Sequence, residues 1–417
     1  SYAPVAARFA TTRTGSDILT ATTTAQQPRK NGWNMPDPIE TAATMDRAGA
    51  AQSGDAQVGH APVGGRGVDR ILAAIVTFVP PLGAVAAVML WLQGYAPGWT
   101  ELGLMLAMHA IALIGVEVGF HRLFAHRSFE PHRAIKIALA MMGSTAFQGP
   151  VIWWASIHRK HHQFSDQPGD PHSMYLSGPG WMARVRGAVH SHIGWIWSAQ
   201  SVGRGGFAKY AKDLYRDPDV LAIHMNYLRY LLLGMAIPAL VAGLVHMSWT
   251  GALLGFLWGG LARVFFMNHL TYWCINSVTH ALGRRPYKTR DRSTNFALLC
   301  IPTLGQSWHN NHHADPSSAL MNHRWWQLDL GGLLIRGFAR AGLIDNMRRP
   351  NRERLRHLES QTGAESLAGG QEQAGIKGFS GTADHAVRSD DLGTLFVPDE
   401  QDSAPSREPS NQRKQAQ

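Results

Sequence analysis

Apolar residues are concentrated between about residues 71 and 273, with polar stretches on both sides. Four runs in that region are long enough to cross a bilayer as helices: about 71–92, 99–118, 227–245 and 252–272. A helix of about twenty residues spans roughly 30 Å, the thickness of the hydrocarbon core. The links Gln93–Gly98 and His246–Gly251 are short, so the runs pair into two antiparallel hairpins. Arg66 and Arg70 precede the first run, and Arg122 and Arg127 follow the second on the same side. The positive-inside rule makes that side cytoplasmic. A fifth stretch, Ala134–Trp154, is weaker and broken by Gly143, Ser144, Gln148, Gly149 and Pro150. It reads as one helix lying at the interface, with a true span as the alternative. The expected fold class is all-α integral membrane, with four transmembrane helices in two hairpins and a cytoplasmic helical cap from 119–226 and 273–346. Residues 1–69 and 347–417 lack hydrophobic periodicity and are expected to be disordered tails flanking a membrane domain of 70–346.

Histidine changes the picture most. The chain has 21 histidines in 417 residues, and eight fall into three short clusters beside membrane-length runs. These are His121 and His126 at the end of the second run, His158-Arg-Lys-His161-His162, and His309-Asn-Asn-His312-His313. Neutral imidazole is a good ligand for iron, zinc and copper. On a helix, residues at i and i+4 lie about 40° apart while neighbours diverge by about 100°, so one H-x-x-H-H turn can feed two adjacent ions. His121 and His126, five apart, do not share an α-helical face; either the helix ends between them or they serve different metals. Asn276 and His280 form another i, i+4 pair beyond the fourth run. The plain alternative, surface histidines, suits His109, His224, His246 or His269 singly. It does not explain the same pentapeptide pattern twice. Arg263, inside the fourth run, has to face carbonyls, Glu117 or a cavity, because a charge exposed to lipid is costly.

The formal charge of +10 comes from dispersed Lys and Arg, many flanking apolar runs, which fits anionic lipid headgroups rather than nucleic acid. Two cysteines, Cys274 and Cys300, can hold neither a disulfide framework nor an iron–sulfur cluster, so any electrons have to come from outside. The first fifteen residues carry Arg8 and Arg13 and no acid, a faint transit-peptide pattern that a polar tail explains more simply. The chain begins at Ser1 rather than Met, which leaves room for residues before it.

Phe120-His-Arg-Leu-Phe-Ala-His-Arg-Ser128, His158-Arg-Lys-His-His162 and Trp308-His-Asn-Asn-His-His313 closely resemble the three histidine boxes of membrane fatty-acid desaturases of the acyl-CoA Δ9 type. The likeness runs from about Ile71 to about Arg340 and includes Asp170-Pro171-His172, His192-Ile-Gly-Trp195 and Asn276-Ser-Val-Thr-His280. It implies two non-heme irons, with His121, His126, His158, His161, His162, His280, His309, His312 and His313 as ligands and Asn276 acting through water. It implies O2 as co-substrate and loss of two hydrogens from an unactivated acyl chain. It also implies a multi-pass membrane protein with the histidine boxes and both termini cytoplasmic. Met105, Met108, Phe147, Gln148, Trp153 and Trp154 are candidates to line an acyl tunnel. Asp170, His172 and Gln306 are expected beside the ligands rather than among them.

Two positions depart from that pattern. Ser156-Ile157 stands where animal members have an Arg-Asp pair against coenzyme A, so an acyl carrier protein thioester or a lipid ester joins acyl-CoA as a candidate substrate. Gly305-Gln306 replaces the usual Gly-Glu before the third box, removing a carboxylate. No His-Pro-Gly-Gly stretch marks a fused cytochrome b5, so a separate ferredoxin or cytochrome b5-type donor with its reductase is expected. Hydroxylation, or decarboxylation to an alkene, would use the same ligands. A divalent-metal transporter would need ligands near the bilayer midplane, where the runs offer only His109 and Arg263.

Overall fold

The computed structural model describes residues 67–198 and 209–361. Most of the two expected tails therefore lies outside the described residues. The expected helical membrane architecture is the one observed, apart from one short strand pair, with four helices among the described residues long and apolar enough to cross a membrane. The first two are α1 (Gly67–Leu92) and α2 (Trp99–Ala125). β1 (Glu130–Pro131), α3 (Arg133–Ser144), α4 (Val151–Phe164), α5 (Trp181–His192) and α6 (Pro218–Met225) then build one part of the cap. α7 (Tyr227–His246) and α8 (Trp249–Val278) are the other long helices. α9 (His309–Ala314), α10 (Leu330–Arg340) and β2 (Ile344–Asp345) complete the cap, and β2 pairs antiparallel with β1.

The hairpins close as the short links require. Glu101 on α2 accepts the Gly98 amide at 2.8 Å, and its other carboxylate oxygen lies 2.9 Å from His246 at the end of α7. Met247 turns with φ 46°, and Ser248 caps α8 by accepting the Gly251 amide at 3.0 Å. Large apolar side chains such as Leu82, Leu106, Leu240 and Trp249 point outward on these helices, as a lipid-facing surface demands. Arg263 is fully buried and donates to the carbonyls of Gly259 and Thr145, which settles its partners as carbonyls rather than Glu117.

Three differences from the sequence reading have physical causes. The stretch Ala134–Trp154 is two helices, α3 and the start of α4, broken at Thr145–Pro150, where Phe147 takes φ 63° and Gly149 φ 87°. α3 is only 12 residues long, too short to span, and it packs along α2. There a Cβ on Gly115 would meet the Gly143 amide nitrogen at 2.0 Å. The second long helix does not stop near Val118: from Gly115 to Ala125 it continues with wider π-type turns. Finally, structure persists beyond Met347. Residues 352–361 form a helix, α11, whose Leu355 is buried against Tyr287 and Ala314, and whose start is capped by the Asn351 side chain accepting the Arg354 amide at 3.1 Å.

Candidate metal centre

The wide turns of α2 reconcile the awkward five-residue spacing of the first cluster. The His126 amide bonds back to the His121 carbonyl at 3.1 Å, an i→i−5 contact. A turn of that width returns i+5 to the face of i, and the two imidazole rings lie 4.9 Å apart. The helix does not end between them, and they do not separate. Arg159 of α4 fixes this end by donating to the carbonyls of Phe124 and Ala125 while pairing with Asp213 at 2.6 Å.

Nine histidines converge into two groups. His121, His126, His158, His162 and His312 form one, and His161, His280, His309 and His313 the other, with the candidate donor atoms in each group within 4.8 Å of one another. The i, i+4 reasoning describes α4, which gives His158 and His162 to the first group and His161 to the second. α9 does the same, with His312 in the first and His309 and His313 in the second.

The donor chemistry fits a divalent cation in each group. In the first, the Nε2 atoms of His121 and His312 are 3.1 Å apart, those of His312 and His162 2.9 Å, and those of His126 and His158 2.8 Å. In the second, the Nε2 atom of His309 is 3.1 Å from that of His280 and 3.0 Å from that of His313. Metal–nitrogen bonds of about 2.1 Å put neighbouring ligand atoms about 3 Å apart. His280 and His313 donate from Nδ1 to Asp166 at 2.8 Å and to Asp291 at 2.9 Å, which turns both Nε2 atoms toward His309. His309 has one proton to offer if neutral, and buried His161 Nε2 has no partner at all. A cation that accepts the lone pairs resolves every one of these contacts.

Carboxylates orient the rings. Asp170 accepts from His161 Nδ1 at 3.0 Å and from the His172 amide at 3.1 Å, and the His172 ring stacks on His161 with centroids 4.2 Å apart. Asp170 and His172 thus sit beside the His161 ring. Glu117 lies 3.4 Å from His121 Nδ1. That approach is not a hydrogen bond, and neither Glu117 oxygen has a hydrogen-bond partner among the described residues. The sequence reading missed Asp166 and Asp291. Asp166 follows His162 by four residues, a weak signal, and Asp291 sits in a polar loop that offers none.

Burial sets the protonation states. It lowers His158, His162, His309 and His312 well below the usual imidazole range, and neighbouring imidazoles reinforce the shift. The same causes lower His126 to about 3. Burial also works against charge on His280, but the Asp166 carboxylate overcomes it and raises His280 to about 9. Because protons and metal compete for the same nitrogens, a cation entering the second group displaces a proton from His280.

A cavity adjoins the second group, lined by Gln148, Trp153 and Trp154 of the expected tunnel residues and by Trp195, Tyr272 and Trp273. Asn276 and Gln306 face it too; Gln306 is buried with an unpaired Oε1. Met105, Met108 and Phe147 do not line it. Phe147 is buried in the apolar core between α1, α7 and α8, Met105 packs against that core, and Met108 is buried on α2.

Residues 97–343 match the family model described as fatty acid desaturase. The chain is 40% identical over 274 residues to a hex-5-enoyl-[acyl-carrier protein] acetylenase of Moorena producens (strain JHB), covering 65% of this chain and 84% of that protein. It is 32% identical over 251 residues to an sn-1 stearoyl-lipid 9-desaturase of Anabaena variabilis, covering 60% and 85%. It is 33% identical over 261 residues to a delta-9 acyl-lipid desaturase of Arabidopsis thaliana, covering 62% and 79%. The family match takes in all three histidine clusters and the second, third and fourth long helices, and on that extent the chain belongs to the fatty acid desaturase family of membrane oxidoreductases.

Proposed function

We propose that the protein introduces a double bond into a saturated fatty acyl chain, using two irons held by the nine converging histidines, with Asn276 reaching one of them through water. The observation that carries this reading is the pair of buried imidazole groups beside a cavity walled by tryptophans. Iron at these groups would supply the O2-dependent oxidation that an unactivated C–H bond requires. Overall, one O2, two donated electrons, two protons and two hydrogens from the chain give one double bond and two waters. The protein's own work is positioning and exclusion. Trp153, Trp154, Trp195 and Tyr272 offer an apolar wall that selects by shape and keeps water out, and Asp166, Asp170 and Asp291 hold the rings in the tautomer that presents Nε2 inward.

The substrate is an acyl group carried as a thioester of coenzyme A or acyl carrier protein, or as a lipid ester. Ser156, which turns its hydroxyl back to the Ile152 carbonyl, offers no charge to a coenzyme A head, and this favours the latter two. Electrons come from a separate ferredoxin or cytochrome b5-type protein. The histidine clusters and both termini lie on the cytoplasmic side, by the arginines that flank the first two long helices. A second reading follows from the likeness to the hex-5-enoyl-[acyl-carrier protein] acetylenase, whose named substrate already carries a double bond. On that reading the same centre would remove two hydrogens from an alkene, and buried Gln306 marks where this chain differs from the usual carboxylate.

The test is expression with a compatible donor, mass analysis of total acyl chains, and iron quantification in the purified protein. A loss of two hydrogens with about two irons per chain is expected, and the position and order of the new bond separates the alkene from the alkyne. An oxygenated or shortened chain would replace desaturation with hydroxylation or decarboxylation. His161→Ala and His312→Ala are each expected to abolish product and lower iron while leaving membrane insertion intact; full activity in either would refute the di-iron assignment.

A further inference from the structure

The cap carries a groove unrelated to the acyl cavity. It is lined by Arg324, Arg336, Arg340, Arg349, Arg352 and Arg356, with Trp325 standing 94% exposed at its side. Glu359 is the only carboxylate among its lining residues, and it is engaged by Arg324. An arginine surface with an exposed tryptophan has the composition of a protein-binding hot spot.

The position of the groove narrows the partner. α3 begins at Arg133, directly after β1, and ends where the Thr145 carbonyl meets Arg263 within the membrane-spanning helix α8, at 3.3 Å. The β1–β2 end of the cap is therefore the end far from the bilayer. The C-terminal end of α10 and the segment after it are tied to that end. The His132 amide donates to the Leu343 carbonyl at 3.0 Å, and the Arg348 amide to the Ser128 carbonyl at 2.9 Å. Arginines placed there face solvent rather than lipid headgroups. The groove and the tryptophan-walled cavity share no lining residue.

The groove is nonetheless wired closely to the centre. From His313 the chain passes through Ala314 to Asp315, whose carboxylate accepts the Asn351 amide at 2.8 Å, between Arg349 and Arg352 in sequence. The Ala319 carbonyl, just beyond, is held by Arg122, next to His121, at 2.9 Å. We propose that this arginine groove is the docking surface for a small acidic electron-carrier protein, and that the Asp315–Asn351 bridge is the short path from it to the histidine groups. This rests on the desaturase reading, which requires two electrons that the described chain has no group to store. Like charges around the groove and a negative partner give fast, salt-sensitive encounter.

The experiment uses the full chain in nanodiscs of zwitterionic lipid, as wild type and as the triple variant Arg340→Glu, Arg349→Glu, Arg352→Glu. The probes are an acidic [2Fe–2S] ferredoxin with its reductase, and cytochrome b5. Direct binding is measured by biolayer interferometry, and turnover is measured with each protein donor and with reduced methyl viologen. The expected result is a rise of about tenfold or more in Kd and in donor KM, with loss of the salt dependence, while viologen-driven turnover and metal content stay at wild-type values. The proposal is overturned if wild type binds neither probe or if the variant binds as wild type does. It is equally overturned if the variant instead loses affinity for acyl carrier protein, or for anionic vesicles, with donor KM unchanged. A wild-type protein that binds the donor yet yields no altered acyl chain even with viologen would fail the desaturase reading and leave the docking result standing.

Discussion

Asp291 shows how much of the site depends on residues that touch no substrate. Its carboxylate accepts from His313 Nδ1 at 2.9 Å and is itself held by the Ser293 amide at 2.9 Å and the Thr289 hydroxyl at 3.0 Å. These contacts keep it ionised against the opposing effect of burial and fix the tautomer of His313. Asp291→Asn preserves the shape and removes the charge, and such outer partners are typically worth about 10–100-fold in metal affinity. Competition against a chelator should show a loss of that size with the fold unchanged; wild-type affinity would mean the pairing is incidental. The histidines were legible because they cluster in sequence. Asp291 and Asp166 were not, because an isolated acid in a polar loop looks like any other. Only the fold brings Asp166 to His280, 114 positions away.

At the scale of elements, the periodic apolar runs announced the long helices and their hairpins, whereas local departures from 3.6-residue geometry stayed hidden. The wide turns of Gly115–Ala125 have no composition of their own; they begin where Gly115 faces Gly143 of α3. The helix at 352–361 was masked by its arginines and glutamates, although Leu355 and Leu358 recur at helical spacing. The contact between α2 and α3 gives a differential test. Gly115→Val drives a side chain into the Gly143 backbone and is expected to cost about 1–3 kcal/mol or more, by overpacking. Gly103→Val, on an open stretch of the same helix with nothing within 4 Å, serves as the control and should be tolerated. Melting temperatures in detergent compare the two; equal losses would remove the special standing of the contact.

For the whole molecule, burial of neutral histidines outside the metal groups makes stability fall in acid. His224 accepts the Ile152 amide at 3.3 Å, and burial lowers it to about 4. Between that value and the ordinary 6.5 the unfolded chain binds the extra proton and the folded one does not, so stability rises with pH through this window and is lost as pH falls through it. The shift corresponds to about 3 kcal/mol. His224→Gln keeps an acceptor and cannot titrate, so the drop in melting temperature between pH 6.5 and pH 4.5 should shrink; an unchanged drop would place the acid sensitivity elsewhere.

α4 and α9 each hand adjacent histidines to both metal groups. A single rigid turn cannot adjust one side without moving the other. The first ion to enter therefore spends free energy on ordering both turns, and the second finds its ligands already set. Loading becomes cooperative: anaerobic titration with ferrous ion should rise sigmoidally, native mass spectrometry should find little of the singly loaded protein, and the two ions should leave together when a chelator is added.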